Sequence, residues 1–236
     1  MQRPPILDPR AVPVTGADSD LLAIDPARLT AGALRARFLA QPAWQVEFPG
    51  DGRLIDREPA AASVLLPLVT RERGLTLLLT LRTDHLHDHA GQISFPGGRS
   101  EPQDASAADT ALREAEEEVG LAREHVELIG ELPTYTTVTN FVVTPVVALV
   151  SPGFTLRPDP FEVAEVFEVP LDFLMNPAHH RRHAFESPVG RREFLSMPWR
   201  RVAEAGEAGQ STEAREYFIW GATAAMLRNL YRFLAA

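Results

Sequence analysis

Arg113-Glu114-Ala115-Glu116-Glu117-Glu118-Val119-Gly120-Leu121 is the stretch on which the reading of this chain turns. On a helix advancing about 100° per residue, Ala108, Leu112, Ala115 and Val119 share one side, and Glu114, Glu117 and Glu118 gather on the other. Glu114 and Glu118 are one turn apart, about 40° around the axis. Like charges at this spacing cost an isolated helix roughly 0.2–0.5 kcal/mol per pair, and within the segment only Arg113 offsets four carboxylates. A cation is therefore expected there. Clustered oxygen ligands suit a hard divalent ion such as Mg2+ or Mn2+, which keeps waters and reaches phosphates. A solvated acidic face is the alternative.

Just upstream stands Gly91-Gln92-Ile93-Ser94-Phe95-Pro96-Gly97-Gly98-Arg99. A Pro-Gly-Gly turn permits positive φ and a close approach of backbone to a ligand, with a carbonyl where a side chain would otherwise stand. The acidic helix is predicted from about Ser106 to Val119.

The rest of the chain sets limits. Of 236 residues, 23 are basic and 32 acidic, leaving a formal charge of −9, and 45% are hydrophobic. Such a chain is long enough to bury a substantial core. It contains no cysteine, which excludes disulfides, Cys-ligated zinc and a thiol nucleophile. An acidic total argues against a general nucleic-acid binder. Pro4, Pro5, Pro9 and Pro13 interrupt any apolar leader, and Pro133, Pro145 and Pro152 break the longest uncharged stretch, so neither signal peptide nor membrane helix is expected. A cytoplasmic protein follows.

Residues 1–40 read as a Pro-rich arm and one helix over Asp25–Ala40, and 41–236 as the main domain with a C-terminal helix. Ala61–Thr70 and Leu75–Arg82, separated by Arg71-Glu72-Arg73-Gly74, predict a β-hairpin. Strands are predicted near 126–132, 141–150 and 164–169, a short helix over 171–175, and a second hairpin over 183–197 around Pro188-Val189-Gly190. Ile219–Leu234 carries apolar residues at helical spacing. Gly206–Ser211 reads as a short polar loop.

Gly98, Asp104 and Arg113 through Leu121 together resemble the Nudix box, G-x5-E-x7-R-E-U-x-E-E-x-G-U, with Asp for Glu at 104 and one extra residue before Arg113. Leu78-Leu79-Thr80-Leu81-Arg82-Thr83, Gly91 and Phe95-Pro96-Gly97-Gly98 are similar to the coenzyme A pyrophosphatase signature L-L-T-x-R-S-x3-R-x3-G-x3-F-P-G-G, with Thr83 for Ser and His87 for the second Arg. The resemblance spans roughly residues 62–227. It implies an α/β protein, a Nudix α/β/α sandwich whose mixed sheet carries the box as loop-helix-loop.

The resemblance also implies Mg2+- or Mn2+-dependent cleavage of the diphosphate of coenzyme A or an acyl derivative, to 3′,5′-ADP and 4′-phosphopantetheine or its acylated form. Glu114, Glu117, Glu118 and the Gly98 carbonyl are the expected metal ligands. Glu117 and Glu118 also stand as catalytic groups, with Arg113 orienting the carboxylates. Arg82, Arg99, Gly97 and Phe95 are expected at the substrate. Glu162 or Glu165 is an alternative base, and His179-His180-Arg181-Arg182-His183 with Arg191-Arg192 an alternative phosphate site or a solvated loop. His85, His87 and His89 alternate without a further ligand and are not assigned to zinc. Trp199 and Trp220 read as core, with stacking on adenine the alternative. The partner is a small nucleotide, with no nucleic acid and no membrane, and a homodimer is allowed. Hydrolysis of ADP-ribose or NADH is the rival activity, and a non-catalytic nucleotide sensor the rival class.

Overall fold

The computed structural model describes residues 8–40, 42–51, 58–84, 91–187, 190–201 and 215–236. His85, His87, His89, the Pro188-Val189 turn and the Gly206–Ser211 loop lie outside them. In chain order the elements begin with β1 (Val14–Ala17), α1 (Ala31–Ala40), β2 (Ala60–Arg71), β3 (Gly74–Arg82), β4 (Ile93–Ser94), β5 (Gly97–Arg99) and α2 (Ala107–Val119). Then follow β6 (Val126–Glu131), β7 (Tyr135–Thr136), β8 (Phe141–Val150), β9 (Val163–Pro170), α3 (Leu171–Leu174), β10 (Arg181–Ser187), β11 (Gly190–Arg201), β12 (Arg215–Trp220) and α4 (Gly221–Ala235).

The two aliphatic runs pair as the predicted hairpin, β2 with β3, and β2 also lies parallel to β8 from Ala60↔Phe141 to Val69↔Val150. The remaining pairs of this sheet are antiparallel, which makes it mixed. On its other side β2 is shared between β5 at residues 62–64 and β3 at residues 68–71. Pro67, which has no N–H to donate, falls in the gap between those two partners.

Period-two alternation sorts the side chains of these strands onto two faces. Leu65, Val69, Leu78, Val146, Ala148 and Val150 face α2, whose Ala111, Ala115 and Val119 sit one turn apart. Leu66, Leu68, Leu77, Leu79, Val147 and Leu149 face the opposite layer, with Leu227, Leu230 and Leu234 of α4. The result is the expected α/β/α sandwich.

Two expectations change. The helix predicted from Asp25 is split into a single 3₁₀ turn at Pro26–Arg28, capped by the Asp25 carboxylate, and α1. The C-terminal helix starts at Gly221, because Ile219 and Trp220 close strand β12 instead. That strand and β1 flank the predicted hairpin, β10 with β11, in a second, antiparallel sheet whose two outer strands were not expected. Trp199 and Tyr217 pack this sheet against Phe167 of β9, and Trp220 meets Phe194.

Buried between this sheet and the N-terminal residues lies an ionic network. Arg228, 0% exposed, donates from Nε to Glu47 Oε2 at 2.7 Å and pairs through Nη2 with Asp18 at 3.0 Å. Arg182 binds the same two carboxylates, each at 2.7 Å, and Arg232 reaches Glu47 at 2.6 Å. His180 Nε2 lies 2.7 Å from the Leu174 carbonyl, so Nε2 carries the proton and Nδ1 accepts from Arg228 at 3.1 Å. His183, also buried, bridges the Val12 carbonyl and the Ser196 hydroxyl. Within the histidine-arginine cluster, His180, Arg182 and His183 therefore form an internal latch on the N-terminal segment, while Arg181 and Arg191 are exposed.

Candidate active site

Helix α2 is placed by both its ends. The Ser106 hydroxyl accepts from Asp109 N at 3.1 Å, an N-cap that satisfies one orphan donor. At the other end Gly120 takes φ +70°, and Leu121 N closes back on the Ala115 carbonyl. The segment at 157–159 crosses this end, with Arg157 N and Asp159 N donating to the Val119 and Glu118 carbonyls at 2.9 Å. A Cβ at Gly120 would stand 2.8 Å from Arg157 N, so glycine is needed for both the turn and the crossing.

That crossing delivers Phe161 and Glu162 to the open end of α2. Thr83, just past β3, fixes them by donating from Oγ1 to the Phe161 carbonyl at 2.8 Å and from N to the Glu162 carbonyl at 3.0 Å. Threonine thus supplies the hydroxyl of the serine it replaces. Glu165 lies apart, accepting from the Tyr217 hydroxyl at 2.5 Å and pairing with Arg215. Of the two alternative bases, only Glu162 reaches the acidic pole.

The glycine turn meets the helix there. Gly97 N donates to Glu118 Oε2 at 3.2 Å. A Cβ on Gly97 would fall 2.4 Å from the Ser63 carbonyl, and one on Gly98 would fall 2.5 Å from the Glu114 carboxyl carbon. The Glu114 carboxylate therefore occupies the space that a side chain at 98 would take. Phe95, expected at the substrate, is 2% exposed and packs into the main core behind the turn. The Arg99 side chain is exposed, and its carbonyl accepts from Arg113 Nη2 at 3.1 Å.

Arg113 is the hub of the helix. Its Nε and Nη2 meet both oxygens of Asp104 at 3.0 and 2.9 Å, and its Nη1 meets Glu114 at 2.9 Å and Glu117 at 3.0 Å. Hydrogen bonding to Arg113 holds the Asp104 carboxyl far below its usual range. The shorter acid at 104 thus tethers this arginine across the longer spacer. Two further cations that the helix segment does not contain reach the acids. Arg123 pairs with Glu116 at 3.6 Å, and Arg82 stands 3.6 Å from Glu118 and 3.9 Å from Glu162.

The carboxylates differ sharply. Glu117 is 62% exposed, whereas Glu118 is 6% exposed and borders the sheet. Burial pushes Glu118 up to about 7, against the opposing pull of the Gly97 N–H and Arg82, with Glu114 and Glu162 adding repulsion. Glu114 is likewise raised by burial, with Glu117 and Glu162 contributing. Four carboxylates thus face one another at one pole.

Among the described residues no three histidines or carboxylates form a ready-made metal cage, since each acid at the pole is turned toward an arginine or an N–H. The donor set nonetheless fits a hard divalent cation. It is all oxygen, two of its acids are raised by burial and mutual repulsion, and the Ser63 hydroxyl opposite Gly98 is buried without a hydrogen-bond partner among the described residues.

A mixed sheet bearing a carboxylate helix across a glycine turn defines a hydrolase of the Nudix class. The NUDIX domain family model matches residues 59–189. The chain is 41% identical over 170 residues to the uncharacterized Nudix hydrolase NudL of Yersinia enterocolitica, covering 72% of this chain and 78% of that one. It is 34% identical over 192 residues to NudL of Photorhabdus laumondii, covering 79% and 91%. With NudL of Escherichia coli K12 it shares 41% over 170 residues, covering 72% and 80%. The chain belongs to the NUDIX domain family and is a Nudix hydrolase acting on a nucleoside diphosphate derivative. Nudix hydrolases generally use divalent metal ions. Among the described residues no helix is long and apolar enough to cross a membrane.

Proposed function

We propose that this Nudix hydrolase is a cytoplasmic enzyme that cleaves the diphosphate of coenzyme A or acyl-coenzyme A, releasing 3′,5′-ADP and 4′-phosphopantetheine or its acylated form. One observation carries the reading. The Leu78–Thr83 strand end and the Phe95–Gly98 turn, the two halves of the narrower motif, both touch Glu118, through Arg82 at 3.6 Å and Gly97 N at 3.2 Å.

Glu114, Glu118 and the Gly98 carbonyl would hold Mg2+ or Mn2+, with Glu117 a further ligand from the exposed side. When bound, the ion neutralises phosphate charge and lowers the pKa of water. Glu162, held by Thr83 beside Glu118, accepts the proton of the attacking water. As the new P–O bond forms, the bridging P–O bond breaks and its electron pair leaves with the departing phosphate. Arg82 and Arg99 take the phosphate oxygens, for which a guanidinium is well shaped. Arg113 keeps the acids in place through Asp104.

Incubation of purified protein with Mg2+ or Mn2+ and coenzyme A, acetyl-coenzyme A, ADP-ribose, NADH or nucleoside triphosphates, followed by mass analysis, tests this. The expected products are 3′,5′-ADP and the phosphopantetheine half. Intact coenzyme A alongside split ADP-ribose would overturn the substrate assignment and leave the hydrolase class standing.

A further inference from the structure

Two arginines serve the acidic pole, and they are held in opposite ways. Arg113 makes hydrogen bonds at 2.9–3.1 Å to Asp104, Glu114, Glu117 and the Arg99 carbonyl. Arg82 stands 3.6 Å from Glu118 and 3.9 Å from Glu162, beyond ordinary hydrogen-bond length, and among the described residues its buried Nε has no hydrogen-bond partner. Among those residues its guanidinium is held by charge alone. Its backbone is not loose: Arg82 N donates to the Gln92 carbonyl at 2.9 Å, and the β3–β9 register shifts between Leu81 and Arg82, as a bulge that re-aims a side chain does. The backbone of Glu162 opposite is fixed by Thr83.

We propose that Arg82 is the resident counter-ion of the acidic pole, bridging Glu118 and Glu162 until a divalent cation displaces it and frees its guanidinium for the substrate's phosphate oxygens. This rests on the metal-dependent reading above and not on the identity of the substrate. Because the guanidinium leaves no short hydrogen bond behind, its release costs little beyond the charge interaction that the incoming cation replaces. Arg113, with its many bonds, stays. The same residue then couples metal uptake to phosphate binding, since only a loaded site releases it.

Mn2+ titrated by calorimetry into chelator-stripped protein at pH 8.5 tests the proposal without any turnover. Arg82→Gln should bind Mn2+ at least about fivefold more tightly than wild type, because a competing positive charge within about 4 Å of the ligands is gone. Arg82→Lys, which keeps the charge, should remain within about twofold of wild type. Unchanged or weaker Mn2+ binding in Arg82→Gln would overturn the proposal, since a bystander predicts the first and a residue that positions Glu118 the second. A measurement on wild type guards against a misfolded variant: saturating Mg2+ should shift the NMR resonance of Arg82 Nε–H. An unmoved Arg82 signal overturns the idea. Absence of Mn2+ uptake by wild type removes the metal reading itself, and this proposal with it.

Discussion

Asp104 grips Arg113 with both carboxylate oxygens, Nε to Oδ1 at 3.0 Å and Nη2 to Oδ2 at 2.9 Å, and so aims the guanidinium that holds Glu114 and Glu117. An acid that orients a ligand-holding group typically carries a 10–100-fold effect on metal affinity or activity. Asp104→Asn keeps the shape and removes the charge. It should lower kcat by about 10–100-fold with the circular dichroism spectrum unchanged, as steady-state kinetics across Mg2+ concentrations will register.

The two glycines of the turn should respond differently to alanine. At Gly98 the new methyl meets the tip of a flexible side chain, the Glu114 carboxyl at 2.5 Å, so the fold should tolerate it while Mn2+ affinity falls by about tenfold or more. At Gly97 it meets the Ser63 carbonyl at 2.4 Å with φ at +155°, and the backbone itself must move. Gly97→Ala should therefore cost about 1–3 kcal/mol of stability. Melting curves and Mn2+ titrations of the pair will separate these outcomes.

Glu118 sets a pH dependence of two signs. Its carboxyl is pushed up to about 7 by burial, and only the ionised form ligates a cation, so Mn2+ affinity should fall toward tenfold per pH unit below about 7 and level off above about 8. Folding runs the other way. A folded pKa above the usual 4.5 contributes stability that is present below 4.5 and lost as pH rises through about 7. Glu118→Gln should abolish hydrolysis and, in chelator at pH 8, melt about 2–4 °C higher for each kcal/mol of desolvation relieved. Activity at saturating Mg2+ in this variant would remove Glu118 from the mechanism.

The internal latch predicts acid lability. Burial pushes Glu47 up, but hydrogen bonds from Arg228, Arg182 and Arg232 more than offset this and hold it at about 2. Its contribution is present above 4.5 and lost as pH falls through about 2. His180, lowered to about 4 by burial, is neutral when folded, so stability also declines as pH falls below 6.5, until about 4. In the Glu118→Gln background the melting temperature should fall steadily from pH 6.5 downward. Arg228→Ala, which takes a fully buried guanidinium from Asp18 and Glu47 but leaves both paired with Arg182, should cost about 1–3 kcal/mol at pH 7.

The hairpin around Gly74, the helix capped at Ser106 and ended at Gly120, and the spacing of Glu114, Glu117 and Glu118 were determined by the sequence alone, because turn chemistry, capping and helical periodicity act within a few residues. What faces those acids was a tertiary decision. Arg82 and Glu162 come from strands and loops far along the chain, and their meeting depends on β3 pairing with β9. Phe95 was expected at the site because it belongs to the Phe95-Pro96-Gly97-Gly98 motif, and only packing showed that it is buried in the core. Strand β12 was hidden because Tyr217, Ile219 and Trp220 run directly into helical spacing. His180 and Arg182 read as solvent-loving until Asp18, Glu47 and the buried Arg228 supplied partners. Local patterns record what neighbours along the chain prefer; burial and charge pairing are set by neighbours in space, which the linear order does not disclose.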